Sequence, residues 1–189
     1  MQIITKEELK ERKAEFIEKI RNGAIFIYPT DTIYGIGCNA TLEGPVKRIR
    51  TWKGRKTPFS IIAPNKEWIE EYCDTRETKG MLLAKLPGPY TLVYPMKKQI
   101  VSKEVSEKTI GVRIPDHWMS EFIKEAGVPI VTTSVNVTGE MPLFSLDNIQ
   151  SSVKAFLDFA IDEGTLKGKA SEVIDCTSGQ TLRRGNQNK

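Results

Sequence analysis

Short apolar runs, separated by turns and by segments of helical periodicity, most constrain how this chain can fold. Residues 24–28 form a continuous apolar run that Pro29 ends, which is typical of a buried strand. By the same criterion the sequence predicts further strands at residues 59–63, 91–94, 110–114, 130–133, 172–175 and 181–183. Because helical segments alternate with these strands without strict βαβ regularity, we expect an α/β fold around a mixed sheet.

Helical spacing of apolar residues predicts helices in the segments between the strands. A capping box at Thr5 precedes a predicted helix over residues 6–22, and Asn65 and Asp116 are predicted to cap two later helices. Further helices are predicted around residues 45–52, before a stop near Leu86, and over residues 149–160. These helices would flank the sheet.

The length of 189 residues fits one domain. We expect a single domain over residues 1–185 and a flexible tail over residues 186–189. The N-terminal segment is charged from Lys6 onward, which is unlike a secretory signal. No apolar run approaches the roughly 18–20 residues that a membrane-spanning helix needs. The sequence therefore predicts a cytoplasmic protein that does not contact a membrane.

The cysteines and the single histidine limit the kinds of site that this chain can build. Cys38, Cys73 and Cys176 are widely separated and form no C-x-x-C pair, so we expect neither a disulfide framework nor a cysteine metal site. One histidine, His117, excludes a multi-histidine zinc site, and we interpret it as a surface residue in a helix-capping region. No resident metal is predicted.

Positive charge is concentrated in one segment. The net charge is only +4, yet residues 44–66 contain no acidic residue and seven basic ones: Lys47, Arg48, Arg50, Lys53, Arg55, Lys56 and Lys66. Cations at a helix end also complement its dipole, which is the structural alternative. Because clustered cations repel one another until an anion binds, we interpret residues 53–56 as a phosphate- or carboxylate-binding segment. It is not a P-loop.

Three other segments place polar side chains after a strand or a turn. Residues 29–35 carry two threonines and a glycine, which suit either a ligand site or an ordinary turn capped by Asp31. Arg113 lies in an apolar strand, where it is either buried with an anionic partner or exposed on an edge. Ser134 is outside a G-x-S-x-G elbow, so we interpret it as a hydrogen-bond donor and not as a nucleophile.

Taken together, these segments resemble the YrdC-like family, whose members include the threonylcarbamoyl-AMP synthases. The resemblance rests on residues 29–37 (PTDTIYGIG), 53–55 (KGR), 86–92 (LPGPYTL), 109–115 (TIGVRIP), 134–136 (SVN) with Gly139, and 182–185 (LRRG). The motifs occur in the family's order across nearly the whole chain. The resemblance implies the short, single-domain form, with a twisted open α/β sheet, flanking helices and a concave, positively charged face.

The activity that the resemblance implies is a nucleotidyl transfer. It joins L-threonine, bicarbonate or CO2, and ATP into L-threonylcarbamoyl-AMP and releases pyrophosphate, with Mg2+ accompanying the ATP. A downstream tRNA threonylcarbamoyl transferase would then use the product to modify tRNA. Such a reaction needs positioning and charge neutralisation, and no covalent enzyme intermediate.

The resemblance also assigns residues to two groups of contacts. Lys53 and Arg55 would be catalytic and would bind the phosphates. The remaining nucleotide contacts would come from Thr109, Ser134, Asn136 and Arg183. The threonine contacts would come from Thr32, Arg113, Thr132 and Ser171, with Arg113 paired to the substrate carboxylate.

Two departures from the family pattern leave alternatives open. The loop between Arg55 and Phe59 is shorter than in longer members, and Ile62 or a neighbour stands where those members carry a histidine. The alternatives are a YciO-like paralogue and an RNA-binding module that contacts tRNA or dsRNA through the same basic face, with Trp52 and Phe59 available for stacking. If Lys53 and Arg55 bind ATP, Lys47, Arg48 and Arg50 are expected to form only a solvated rim.

Overall fold

A ten-stranded open mixed sheet forms the centre of the molecule in the computed structural model, which describes residues 1–78 and 80–183. The strands are β1 (Gln2–Ile4), β2 (Phe26–Tyr28), β3 (Gly35–Gly37), β4 (Ser60–Ile62), β5 (Tyr90–Pro95), β6 (Thr109–Arg113), β7 (Ile130–Ser134), β8 (Phe159–Ile161), β9 (Glu172–Asp175) and β10 (Thr181–Arg183). Their order in the sheet is β1-β8-β2-β3-β7-β4-β6-β5-β9-β10. For example, β4 runs parallel to β6 and antiparallel to β7, which confirms the predicted mixed sheet.

Helices lie on both sides of this sheet. They are α1 (Lys6–Glu11), α2 (Lys13–Arg21), α3 (Glu43–Lys53), α4 (Lys66–Tyr72), α5 (Met119–Ala126) and α6 (Ser151–Phe156), with 3-10 helices at Met81–Lys85 and Leu146–Asn148. The capping box at Thr5 and the cap at Asn65 are confirmed, because each side chain accepts a backbone N–H from the first helical turn. In the part of the chain that is described, no helix has both the length and the apolar character to cross a membrane.

Several predicted elements differ in the structure. The helix predicted over residues 6–22 is two helices, because Arg12 leaves the helical conformation with φ −107° and ψ 27°. Asp116 does not cap α5. The residue at the N-cap is Trp118, whose side chain makes no capping hydrogen bond, while the Asp116 N–H donates to Asp31 at 3.0 Å.

The end of the last predicted helix is also wrong. Ala160 lies in β8 and not in α6, because Asp158 accepts the backbone N–H of Ile25 at 2.7 Å and joins this part of the chain to the start of β2. The sequence patterns missed β1, which has only three residues, and β3, whose sequence Gly-Ile-Gly lacks strand-forming side chains at two of three positions. The boundary at residue 185 and the tail over 186–189 lie outside the described residues.

Alternate side chains of β2 and β4 enter different cores. Ile27 and Ile61 pack into a core with residues of α3, α4 and α6, whereas their neighbours Phe26 and Ile62 pack into a core with residues of α1, α2 and α5. Ser60 lies two residues before Ile62, so it faces the same side of the sheet as the second core. There the large core side chains give way to small polar ones, and a depression opens.

Candidate functional site

A cavity of about 500 Å³ lies on that face of the sheet. Its floor is a row of small residues on three adjacent strands, because Ser60 is paired in register with both Gly111 and Thr132. A side chain at Gly111 would not fit, since a Cβ atom there would lie 2.6 Å from the Ser60 hydroxyl oxygen. Gly111 therefore keeps the floor low enough for the cavity to exist.

Most of the residues that the sequence assigns to the site line this cavity. They are Thr32, Arg55, Thr109, Arg113, Thr132, Ser134, Ser171 and Arg183. They come from strands and loops that are far apart in sequence. Lys53 and Asn136 do not line it.

Arg55 enters the cavity because α3 ends directly before it. Gly54 adopts the left-handed conformation with φ +61°, which favours glycine and turns the chain out of the helix. The Arg55 guanidinium donates to the hydroxyl of Thr57 at 2.9 Å, the carbonyl of Pro58 at 2.8 Å and the hydroxyl of Thr133 at 3.3 Å. A guanidinium has five N–H groups, so donors remain for a ligand.

Arg183 is held in the lining by Ser171. Its guanidinium donates to the Ser171 carbonyl at 3.0 Å and hydroxyl at 3.3 Å, and that hydroxyl lies 2.9 Å from the hydroxyl of Thr91. Burial lowers the pKa of Arg183. The pKa of Arg55 is lowered by burial first and then by repulsion from Arg183 and Arg50. Arg184 and Gly185 of the same motif lie outside the described residues.

Arg113 is buried and has an anionic partner in the same chain. Its side chain is 8% exposed and lies 2.5 Å from the Asp31 carboxylate, and it also lies 3.4 Å from the Thr32 hydroxyl. Burial lowers the pKa of Arg113, and the Asp31 carboxylate opposes that shift. The alternative of an exposed edge arginine is therefore wrong. Within the described residues, the buried Arg113 Nε has no hydrogen-bond partner.

The turn after β2 is both a turn and part of the lining. The Thr30 hydroxyl accepts the Thr32 backbone N–H at 3.1 Å and donates to the Ile33 carbonyl at 2.7 Å, which closes the turn. It also lies 2.9 Å from the Thr32 hydroxyl, and both threonines face the cavity. Asp31 in the same turn does not cap it but pairs with Arg113.

Lys53 lies beside the loop after β7 and does not line the cavity. Its ammonium donates to the carbonyls of Ser134 at 2.7 Å and Asn136 at 2.6 Å, and its own carbonyl accepts the Thr138 hydroxyl at 2.9 Å. The residue is 2% exposed, and burial, followed by repulsion from Arg55, lowers its pKa to about 8. This placement differs from the expectation that Lys53 contacts phosphate. Lys53 instead fixes the loop that carries Ser134 and Asn136.

Asn136 is tied into the same loop. Its side-chain carbonyl accepts the Ser134 hydroxyl in a short hydrogen bond, and its amide donates to the Glu140 carbonyl at 2.7 Å. The Ser134 hydroxyl is therefore oriented by Asn136, and Ser134 rather than Asn136 contacts the cavity. This hydrogen bond to an amide, and not to a histidine, is in keeping with a binding role for Ser134.

The lining is unbalanced in charge. Arg55, Arg113 and Arg183 all contribute to it, while no carboxylate side chain is found among the described lining residues. Of these three arginines, only Arg113 forms a salt bridge with a carboxylate within the described residues. Because cations that are held close together repel one another, an anionic ligand would stabilise this arrangement.

Several lining residues were not assigned individually from the sequence. Thr30, Ser60, Thr91 and Thr133 also face the cavity. Their common signal is a small polar residue within or next to an apolar strand, but only the register shows that they meet. Ile62, which stands near the histidine position of longer family members, is fully buried in the second core, so β4 supplies Ser60 instead.

The aromatic residues that favoured RNA stacking are not both available. Phe59 is 1% exposed, and the guanidiniums of Arg50 and Arg55 lie 4.7 and 5.2 Å from its ring centroid. Trp52 is stacked on Phe156 at 5.6 Å. The interpretation of Phe59 as a base-stacking residue is therefore wrong.

His117 and the cysteines take structural positions. His117 accepts the Met119 backbone N–H at 3.3 Å, as expected of a capping region, but it is half-buried and its Nε2 lies 2.9 Å from Glu163. Burial lowers the pKa of His117. All three cysteines are buried and free. Across the described residues there is no group of three or more side chains that could hold a metal ion.

A family comparison identifies the relatives of this site. The profile of the Sua5/YciO/YrdC family, described as telomere recombination, matches residues 18–185. The chain belongs to this family. The prediction of the family, which rested on the motifs alone, is confirmed.

Individual members of the Sua5/YciO/YrdC family give the extent of the similarity. A Methanocaldococcus jannaschii protein, named provisionally as a threonylcarbamoyl-AMP synthase, is 37% identical over 174 residues, which cover 89% of this chain and 82% of the relative. The threonylcarbamoyl-AMP synthase of Photobacterium profundum is 29% identical over 90% of this chain and 97% of its own length.

A solved structure with a ligand is also similar. The crystal structure of P. abyssi Sua5 complexed with L-threonine superposes with a TM-score of 0.85 at 30% sequence identity. The similarity covers 97% of this chain but 57% of that protein, so the chain spans little more than half of that relative. The twisted open sheet with flanking helices is thus the family's fold.

Proposed function

We propose that this chain is a nucleotidyltransferase that joins L-threonine, bicarbonate or CO2, and ATP into L-threonylcarbamoyl-AMP and releases pyrophosphate. The observation that carries the proposal is the cavity, which combines three arginines with a row of hydroxyl groups and has no lining carboxylate in the described part of the chain. ATP, L-threonine and bicarbonate all present anionic groups. The named relatives support the synthase over a YciO-like role.

The nucleotide would occupy the end of the cavity near Arg55. The hydrogen-bond partners of Arg55 and Arg183 are neutral, so the phosphates of ATP would supply the missing negative charge. Ser134 and Thr109 would hydrogen-bond the nucleotide, and Asn136 and Lys53 would act by holding Ser134 in place. This assignment makes Arg55 a catalytic residue and Lys53 a positioning residue.

The amino acid would occupy the other end, near Arg113. Thr109 and Arg113 are four residues apart on β6, which separates them by about 13 Å. That span is enough to hold the two substrates side by side. Arg113, held by Asp31, would pair with the threonine carboxylate, while Thr32, Thr132 and Ser171 would hydrogen-bond its other polar groups.

The chemistry requires placement and charge neutralisation more than a nucleophilic side chain. The threonine amine would form a carbamate with bicarbonate, losing water, or with CO2, losing a proton. A carbamate oxygen then bonds to the α-phosphorus of ATP while the bond from that phosphorus to the α–β bridging oxygen breaks. Pyrophosphate leaves with the bonding electrons. Arg55 and Arg183 would stabilise the negative charge that develops there, because preorganised donors in a partly buried site act strongly.

Mg2+ would enter with ATP and not as a resident metal. The lining offers guanidinium and hydroxyl groups, whereas protein-bound Mg2+ prefers carboxylate oxygens. The described lining residues therefore do not fit a protein-held magnesium ion. When bound, the ion would neutralise phosphate charge, and the remaining contacts to the substrates would come from the side chains of the cavity.

The product would pass to a separate tRNA threonylcarbamoyl transferase in the cytoplasm. Direct tRNA or dsRNA contact would rest on exposed cations such as Lys47 and Lys56, which lie outside the cavity lining. An RNA-binding assay with increasing salt measures that contact independently of synthesis.

The test is pyrophosphate release by the purified protein with Mg2+. We expect release above background only when ATP, L-threonine and bicarbonate are all present, with L-threonylcarbamoyl-AMP detected by mass spectrometry. Serine and valine in place of threonine measure the amino-acid preference. A folded protein that releases no pyrophosphate with the complete mixture would contradict the proposal.

A further inference from the structure

We propose that Arg50 is a positioning residue for Arg55, acting with Glu104 through the short loop of residues 55–58. This inference rests on the proposed function, because it assigns Arg55 to ATP. It also reverses the expectation that Arg50 belongs to a solvated rim. The pair would fix the position of the catalytic guanidinium before ATP arrives.

Arg50 connects three segments that are separate in the chain. Its Nη1 donates to the carbonyls of Arg55 at 2.8 Å and Thr57 at 3.2 Å. Its Nε and Nη2 donate to the carbonyl of Glu104, the first at 3.0 Å, and Nε lies 3.1 Å from the Glu104 carboxylate. The end of α3, the 55–58 loop and the turn around Glu104 are thus joined by one side chain.

The loop of residues 55–58 needs such support because most of its residues are exposed to solvent. Lys56, Thr57 and Pro58 are all exposed, and the loop is short. Arg55 in turn takes its position from this loop, since two of its three hydrogen-bond partners are Thr57 and Pro58. A change in the loop would therefore move the Arg55 guanidinium directly, and ordering it before binding removes an entropic cost.

The Phe59 ring also contacts both Arg50 and Arg55 and helps to fix their positions. Both guanidiniums lie over its ring, Arg50 at 4.7 Å and Arg55 at 5.2 Å. Two cations so close repel each other, and Arg50 contributes to the lowered pKa of Arg55. The Glu104 carboxylate lies against Arg50 rather than Arg55, so it neutralises the supporting arginine and leaves the catalytic one uncompensated.

Arg48 provides a matched contrast on the same helix. It is exposed, its guanidinium lies 5.3 Å from the Phe156 ring centroid, and its hydrogen bond to the Phe156 carbonyl is long at 3.4 Å. Arg50, by comparison, has a side chain that is 21% exposed. Replacing either arginine removes the same charge from α3, but of the two only Arg50 touches the Arg55 loop.

The experiment measures ATP affinity, from calorimetry with ATP alone, and the KM values for ATP and threonine in the pyrophosphate assay. We expect Arg50→Ala to weaken ATP binding about tenfold and to leave the KM for threonine within about twofold. Arg48→Ala should leave both within about twofold. Equal losses for ATP and threonine, or an equal loss in Arg48→Ala, would overturn the proposal.

A double-mutant cycle isolates the route through Arg55. If Arg50 acts by positioning Arg55, Arg50→Ala should weaken ATP binding less than about twofold once Arg55→Ala is present. A full additional tenfold loss would show independent action and overturn the proposal. If Arg50→Ala does not fold, Arg50→Lys carries the same cycle, because lysine keeps the charge but its single amino group cannot join all three segments.

Failure of the proposed function gives a different result. A wild-type protein that binds ATP but releases no pyrophosphate would contradict the synthase assignment, while the Arg50–Arg55 coupling would still be measured in ATP affinity. A wild-type protein that does not bind ATP would overturn both.

Discussion

The two ends of the cavity hold their arginines in opposite ways. At one end, Arg113 is compensated within the chain by Asp31 at 2.5 Å. At the other, Arg55 is partly buried and hydrogen-bonds to neutral carbonyls and hydroxyls. Arg183 is exposed, and its hydrogen-bond partners are also a neutral carbonyl and hydroxyl. A compensated arginine can remain in place without ligand, whereas uncompensated arginines gain most when an anion arrives. The difference predicts an amino-acid end whose arginine is already charge-compensated and a phosphate end whose positive charge is balanced only when ATP binds.

The largest expected effect comes from removing the carboxylate that compensates the charge of Arg113. Asp31→Asn leaves the buried Arg113 without a carboxylate, which should destabilise the fold by about 3 kcal/mol. Denaturant unfolding measures this loss. Asp74→Asn is the control, because its partner Arg76 has an 86% exposed side chain and water can replace the lost carboxylate. Equal losses in the two variants would show that burial of the Asp31–Arg113 pair has no special importance.

The next effect comes from removing an uncompensated cation. Arg55→Ala should lower kcat/KM for ATP at least about tenfold, since it removes charge stabilisation from the transition state. The free energy of unfolding should not fall, because this variant relieves repulsion with Arg183 and Arg50. Pyrophosphate release and denaturant unfolding measure the two quantities. Wild-type kcat/KM in a folded variant would contradict the catalytic assignment.

A third variant would give Arg55 a carboxylate partner, as Arg113 already has. Thr57 accepts a hydrogen bond from Arg55 at 2.9 Å, so Thr57→Asp would give Arg55 its own carboxylate. We expect ATP affinity to fall about fivefold, because the carboxylate competes with phosphate, while stability stays the same or rises slightly. Thr57→Asn is the neutral control of similar shape. The comparison of the two ends fails if the aspartate and asparagine variants bind ATP equally well.

The last effect is confined to high pH and concerns Lys53. Its pKa is lowered to about 8 from 10.5, mainly by burial. Between those two values the unfolded chain holds a proton that the folded chain has released, so this residue makes stability rise as pH increases from about 8 to 10.5. Lys53→Met should remove that rise from the pH profile of the unfolding free energy. An unchanged profile would show that Lys53 titrates normally, and the loop after β7 would not depend on its charge.

The sequence anticipated the site in outline but not its connections. The motifs assigned Arg55, Arg113 and Arg183 to the site, and all three line one cavity. They could not show that Lys53 turns away toward the loop after β7, or that Arg50 supports the Arg55 loop. Both side chains occupy the same basic segment, and charge alone does not distinguish a lining cation from one that holds a loop.

The fold was anticipated where the local pattern was strong. Continuous apolar runs predicted the central strands, and the capping residues Thr5 and Asn65 predicted two helix starts. The pattern failed at β3, whose glycines have no side chain to signal a strand, and at Ala160, where pairing with β1 and β2 overrides helical spacing. Both failures occur where a long-range contact decides the local conformation.

By itself, the sequence determined the class of fold, the family, and which segments carry polar residues beside buried strands, because these depend on local periodicity and short motifs. Only the tertiary structure decided which of those residues share a cavity and which compensate one another. Asp31 and Arg113 are 82 positions apart, and Lys53 and Asn136 are 83 apart. Such pairs form only when the strands take one register and the helices pack on them, so the compensation that Arg113 has and Arg55 lacks is a property of the folded sheet.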